Sequence, residues 1–169
     1  MDSLNSFVRL FTLNDAAAAQ RITERLALVL RDPAAYQAQY AQELEERGIV
    51  GGLPAQELRD VALIDALLGE ELLWEADWKD PVTDLAYGLN ETLSQQGRPE
   101  RLPEAVAGRH ATTGPEALDT LQDMLEPLGL ALVLLTLDSD SHALSIVADA
   151  QAEKTRQLAK EIGFGITVY

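Results

Sequence analysis

The segment from Leu130 to Val147 constrains the fold of this chain more than any other. It reads LALVLLTLDSDSHALSIV, two apolar runs separated by an acidic, hydroxyl-rich stretch. The first run is so apolar that it must be covered on both faces, and its length suits a buried β-strand. We therefore predict a hairpin with strands over 130–137 and 143–148. The polar stretch then lies at the lip of a sheet, where functional side chains are common.

Capping signals divide the rest of the chain into helices. In chain order, the predicted helix starts are marked by Asn14 or Asp15, Asp32 with Pro33, Pro54, Asp80 with Pro81, Thr113 with Glu116, and Asp149. Polar side chains that accept backbone hydrogen bonds, and prolines at the first helical position, are typical of such starts. Apolar residues nearly encircle the helix over 54–68, which should be central. The segment 72–78 suits either a strand or the tail of that helix.

The order of these elements predicts an α+β fold. The N-terminal half is rich in helices, and the C-terminal third follows an α-β-β-α-β order with a small, mostly antiparallel sheet. A length of 169 residues suits one domain spanning 1–169. The pattern leaves open whether residues 1–70 form a helical lobe apart from a sheet-bearing part, 71–169.

The charge of the chain narrows the classes of partner. Thirteen lysines and arginines against 28 aspartates and glutamates give a formal net charge of −15. This charge repels phosphate backbones and anionic lipids, so we expect neither a nucleic-acid nor a membrane partner. Residues 51–91 hold ten acidic and two basic side chains and supply −8 of the total. Such a segment forms either a solvated surface or a patch that steers a basic protein partner.

Several kinds of chemistry are absent from the sequence. The chain contains no cysteine, which excludes disulfides, thiolate metal sites and a cysteine nucleophile. P-loop, GxGxxG, HExxH and nucleophile-elbow patterns are also missing, so catalysis is not the favoured interpretation. The first residues contain neither a basic leader nor a sustained apolar core, and Leu130–Leu135 is too short to span a bilayer. We expect a cytoplasmic protein.

The first candidate site is a partner-binding surface formed by Trp74, Asp77, Trp78 and Asp80. Tryptophan is enriched where binding energy concentrates, and neighbouring carboxylates suit a basic partner. The same residues also suit structural roles. Asp80 can cap the following helix, and at least one of the two tryptophans is expected to pack in the core.

The second candidate site is a metal site formed by Asp138, Asp140 and His142 in the polar stretch. Carboxylate and imidazole groups at this spacing could share a divalent cation, the only cofactor that the sequence suggests. An EF-hand is excluded because Ala143 stands where that loop needs glycine. Aspartate and serine in a short connection also form local hydrogen bonds that shape the turn, and this alternative stays open.

Two motifs resemble those of a family of uncharacterised bacterial proteins, a domain of unknown function. The matching residues are Trp78, Lys79 and Asp80 in the first motif, and Leu137, Asp138, Asp140, Ser141 and His142 in the second. His142 stands where the family pattern has an aromatic residue. The resemblance covers about the last 100 residues. It implies a bacterial cytosolic protein and implies no activity.

Two classes of function follow from these residues. The first is a small acidic protein-binding module, such as an immunity or inhibitor protein that engages a basic partner. The alternative is a divalent-metal-dependent hydrolase or ligand-binding domain centred on Asp138, Asp140 and His142. A homodimer built on the apolar helix 54–68 is also compatible with the sequence.

Overall fold

The computed structural model of the chain describes residues 2–103, 112–137 and 139–169. The helices are α1 (Asp2–Thr12), α2 (Ala16–Arg31), α3 (Pro33–Gln39), α4 (Ala41–Glu46), α5 (Ala55–Gly69), α6 (Val82–Gln95), α7 (Gly114–Leu125) and α8 (Ala152–Ile162). Short 3-10 helices span Glu126–Leu128 and Asp149–Gln151. The strands are β1 (Trp74–Asp77), β2 (Leu130–Leu135), β3 (Ser141–Ala148) and β4 (Ile166–Val168). The predicted α+β fold is confirmed.

The four strands form one antiparallel sheet in the order β1-β3-β2-β4. The predicted hairpin is β2 and β3, which pair from Leu130 with Ala148 to Leu135 with Ala143. The ambiguous segment 72–78 contains a strand, β1, which pairs with β3. β1 and β4 are therefore the two edges of the sheet.

Both faces of the sheet are covered, which explains why its central strands are so apolar. Val133 and Val147 belong to a buried cluster with residues of α1, α2, α5 and α8. Leu132 and Ile146, one residue away along the same strands, belong to a second cluster with residues of α6 and α7. Alternate side chains of a strand point to opposite faces, so each central strand supplies both clusters. The N-terminal helices thus share their core with the sheet.

The capping predictions are correct where the acceptor lies directly before the helix. The carboxylates of Asp15 and Asp32 each accept a backbone N–H at 3.0 Å in the first turn of α2 and α3. The predictions for Asp80 and Asp149 are wrong, because Pro81 precedes α6 and Gln151 precedes α8. Thr113 does precede α7, but its side chain makes no capping hydrogen bond.

The helix predicted to start at Asp32 and Pro33 stops at Tyr40, where α3 gives way to α4. The Tyr36 and Tyr40 rings stack at this break, with their centroids 4.5 Å apart. In the parts of the chain that the structure describes, no helix is both long and apolar enough to cross a membrane.

Candidate functional site

The turn that follows β1 carries three of the four predicted partner-binding residues. The Asp77 carboxylate accepts the Lys79 N–H at 2.8 Å. The Asp80 carboxylate accepts the Asp77 N–H at 3.2 Å, and the Asp80 N–H donates to the Asp77 carbonyl at 3.0 Å. Asp80 therefore closes the turn that contains Trp78 and does not cap α6, which is the physical reason for that wrong prediction.

Trp78 is held by its backbone and exposed at its side chain. Its N–H donates to the Asp140 carbonyl at 2.8 Å, and its carbonyl accepts the Gly114 N–H at 3.2 Å. The turn is thereby fixed to the β2–β3 connection and to the start of α7. The indole nevertheless remains 42% exposed. The Lys79 ammonium lies 5.5 Å from the centre of its ring, so this indole already attracts a cation.

Trp74, the fourth predicted partner-binding residue, packs against α6. Its indole meets the Tyr87 ring edge to face, with centroids 6.1 Å apart, and lies directly against the backbone of Gly88. Trp74 also contacts the buried cluster beneath α6 and α7. The structure therefore gives Trp74 a packing role and brings only Asp77, Trp78 and Asp80 together in one turn.

The predicted metal site is described only in part, because Asp138 lies outside the described residues. Asp140 is exposed, and His142 is half-buried beside Ala76 of β1. The Ser141 N–H donates to the Ser139 hydroxyl at 3.2 Å, a local bond of the kind that shapes a turn. Among the residues with described positions, no group of three or more histidine, aspartate or glutamate side chains could hold a metal ion. A metal site that includes Asp138 stays a prediction.

The imidazole of His142 is partly buried next to the turn. Its Nε2 is buried and has no hydrogen-bond partner among the described residues. Burial lowers the pKa of His142 below 6.5, and the nearby Asp77 carboxylate only partly offsets this. Burial therefore favours the neutral form of His142.

We expect the His142 imidazole to titrate with a midpoint below 6.5 in the folded protein. Because the folded pKa is lower than the unfolded value, the stability contributed by neutral His142 is complete above pH 6.5 and is lost as the pH falls through the folded pKa. NMR titration of the imidazole protons measures the midpoint, and His142→Gln identifies the resonance against that of His110. A midpoint at or above 6.5 would contradict the buried placement.

A cleft of about 720 Å³ is lined by residues of α4, α5, β1 and β3, and we call it the β1 cleft. Its charged lining consists of Glu43, Glu46, Asp65, Glu75, Asp77, Asp80, Arg25 and Arg47. Six carboxylates against two guanidinium groups give the lining a formal net charge of −4. The turn with Trp78 thus borders a strongly acidic cleft.

Arg47 is the centre of the buried part of this lining. Its guanidinium donates to Asp65 at 2.7 Å and to Glu75 at 2.7 and 3.3 Å, and so joins the end of α4 to α5 and β1. Burial by itself lowers the pKa of Arg47, but the bonds to Glu75 and Asp65 outweigh that effect and raise it. Burial raises the pKa of Asp65, since Arg47 and the more distant Arg25 do not repay the desolvation of its carboxylate.

Arg25 adds a second cation from α2. It donates to the Tyr36 hydroxyl at 3.0 Å, pairs with Glu43, and lies 4.0 Å from the centre of the Tyr40 ring. Burial raises the pKa of Tyr36 to about 12, although Arg25 acts in the opposite direction. Tyr36 is therefore a neutral hydroxyl that positions Arg25.

Comparison with known protein families decides what the chain is related to. A family model described as "Domain of unknown function (DUF6630)" matches residues 3–169. The chain belongs to this family. Neither a curated protein nor a solved structure matches it. The resemblance to an uncharacterised domain family is thereby confirmed, and it covers the helical front of this DUF6630 domain as well as its last 100 or so residues.

Sequence reasoning missed the arginines of this DUF6630 domain. Arg25, Arg47, Asp65 and Glu75 lie on different elements, and no spacing along the chain links them. One signal was available. Asp65 lies in α5 among apolar residues on almost every side, and a carboxylate in such a helix needs a cation from elsewhere.

Proposed function

We propose that this DUF6630 domain is a protein-binding module that engages a basic protein through the turn Asp77–Asp80. The exposed indole of Trp78, held in a fixed turn between two carboxylates, carries this proposal. A rigid aromatic anchor loses little conformational freedom on binding, so most of its contact energy is retained. An immunity or inhibitor protein that covers a basic surface has this chemistry.

The charge around the turn supports a basic partner. In the described part of the chain, Glu46, Asp77 and Asp80 form no ion pair, whereas Asp65 and Glu75 share Arg47. Carboxylates without a counter-ion are free to pair with lysine or arginine of another protein. The net charge of −15 adds long-range attraction, which speeds association and weakens as salt is added.

We expect Trp78→Ala to weaken partner binding by about 30-fold, the value for a hot spot worth about 2 kcal/mol. The partner is first captured on the tagged domain from a lysate of the source organism at low and at high salt. It is then purified, and its affinity is measured by calorimetry. Tyr87→Ala is the matched control, because it removes another exposed aromatic ring outside the turn.

Three results would contradict the proposal. The first is that no basic protein is retained at low salt. The second is retention that does not change with salt. The third is an equal affinity of Trp78→Ala and Tyr87→Ala for the purified partner.

A further inference from the structure

Among the residues that the structure describes, no strand pairs with the outer edge of β1. β1 is the first strand of the sheet order, and three of its residues, Glu75, Ala76 and Asp77, line the β1 cleft. An uncovered edge strand is a template for another extended chain, and proteins often protect such edges with charged side chains. Here the protecting side chains are carboxylates.

The backbone of β1 carries its outward hydrogen-bonding groups on Glu75 and Asp77. The Trp78 N–H donates to the Asp140 carbonyl, and Ala76 pairs with His142 two residues further along. Inward and outward groups alternate in an antiparallel pair, so the N–H and C=O groups of Glu75 and Asp77 point away from β3. The Asp77 N–H confirms this direction, because it donates to the Asp80 side chain. The Glu75 N–H and C=O groups, by the same alternation, also point away from β3.

The walls of the β1 cleft favour a cation with an aliphatic stem. Leu68 of α5 lines the cleft with its side chain partly exposed. Glu46, Asp77 and Asp80 line it without an ion pair in the described ranges of the chain. Arginine and lysine combine an apolar stem with a charged head, and so match both features.

A buried oxygen at the cleft also needs a donor. The Asp65 side chain is only 9% exposed, and its Oδ2 accepts no hydrogen bond from any described residue. The nearby guanidinium nitrogen of Arg25 lies 4.0 Å away, beyond hydrogen-bonding distance. A further guanidinium or ammonium group in the cleft, besides Arg47 and Arg25, would strengthen the field at this carboxylate, whose pKa burial has raised.

We infer that the β1 cleft receives an extended basic segment of the partner protein, which adds to the free edge of β1 and places an arginine or lysine beside Asp77, Asp80 and Glu46. This inference rests on the proposed function and names its binding mode. Main-chain hydrogen bonds to Glu75 supply affinity, and the carboxylates select the basic side chain.

The test uses a synthetic peptide of eight residues, alternating valine and arginine and capped at both ends. We expect it to bind the full chain in calorimetry and to shift the Glu75 amide signal in NMR spectra. A peptide with citrulline in place of arginine should bind about tenfold more weakly, because it keeps the shape and loses the charge. A peptide with methylated internal amides should also bind about tenfold more weakly, because it cannot pair with β1.

Variants of the chain provide the second arm. The double variant Asp77→Asn with Asp80→Asn keeps the hydrogen-bond acceptors of the turn and removes two charges, so it should bind the peptide about tenfold more weakly. The control, Asp119→Asn with Asp123→Asn, removes two exposed charges from α7 and should bind within about twofold of the original chain.

The outcomes separate this inference from the proposed function. Equal binding of the methylated peptide, or of the two double variants, overturns the inference. The inference is also overturned if the peptide fails to bind while binding of the purified partner still depends on Trp78. In that case the proposed function stands. If neither the peptide nor any basic protein binds, both proposals fall.

Discussion

Replacing Gly88 by alanine should destabilise the domain by about 3 kcal/mol. A methyl group on Gly88 would overlap the Trp74 indole at Cγ, Cδ2 and Cε2. Gly88 is buried in the middle of α6, so the helix cannot move without disturbing Leu85 and Leu89, which are fully buried beside it. Either Trp74 leaves its site or α6 lifts from the sheet, and both changes cost packing.

Urea unfolding followed by circular dichroism measures this loss. Gly69→Ala is the matched control, because Gly69 also belongs to a helix and a methyl group there would meet open space. We expect that variant to be unchanged or slightly more stable, since alanine favours helix over glycine.

A double-mutant cycle with Trp74→Ala tests the mechanism. Removing the indole frees the space above α6, so Gly88→Ala should cost little or nothing in that background. The same loss in both backgrounds would show that Trp74 is not the obstacle and would contradict the packing described here.

The sequence predicted those parts of the fold that depend on neighbouring residues. The hairpin follows from the apolar runs on either side of the polar stretch, and the caps at Asp15 and Asp32 depend on an N–H three residues away. Asp80 shows the limit of such reasoning. A carboxylate before a helix can accept an N–H from the helix or from a preceding residue, and that of Asp80 accepts the Asp77 N–H.

Gly88 shows a different limit. A glycine inside a helical pattern indicates a close contact, but the sequence does not name the group that makes it. Trp74 is the first residue of β1 and Gly88 lies in the middle of α6. Only the packing of α6 on β1 brings them together. Trp78, the other tryptophan of the predicted binding surface, is exposed, and the sequence could not foresee that Trp74 packs against a glycine.

The Arg47 network was beyond sequence reasoning for the same reason. Its members come from α2, α4, α5 and β1, and their ion pairs exist only after the helices have packed on the sheet. Composition predicted an excess of carboxylates but did not indicate which of them are buried with a cation. The acidic segment 51–91 thus has two roles at the β1 cleft, since Asp65 and Glu75 pair with Arg47 while Asp77 and Asp80 form no ion pair among the described residues.

Replacing Arg47 by methionine should destabilise the domain by about 3–5 kcal/mol at neutral pH. Methionine fills a similar volume but leaves Asp65 and Glu75 without their shared cation in a place where the Asp65 side chain is only 9% exposed. The control is Arg21→Met, which removes an arginine that also pairs with one glutamate but is 58% exposed. We expect a much smaller effect there, because water screens the pair.

The pH dependence of the Arg47→Met variant identifies the cause. Without the guanidinium, the folded-state pKa of Asp65 rises further above its unfolded value, so the folded variant takes up a proton more readily than the unfolded chain. The difference in unfolding free energy between the variant and the original chain should therefore be largest near pH 7 and should narrow as the pH falls through the folded pKa of Asp65.

Adding Asp65→Asn and Glu75→Gln to Arg47→Met should recover most of the lost stability at neutral pH, because no buried charge then lacks a partner. A stability difference that is the same at pH 7 and pH 4.5, together with no recovery in the triple variant, would mean that Arg47 acts through packing of its side chain and not through its charge.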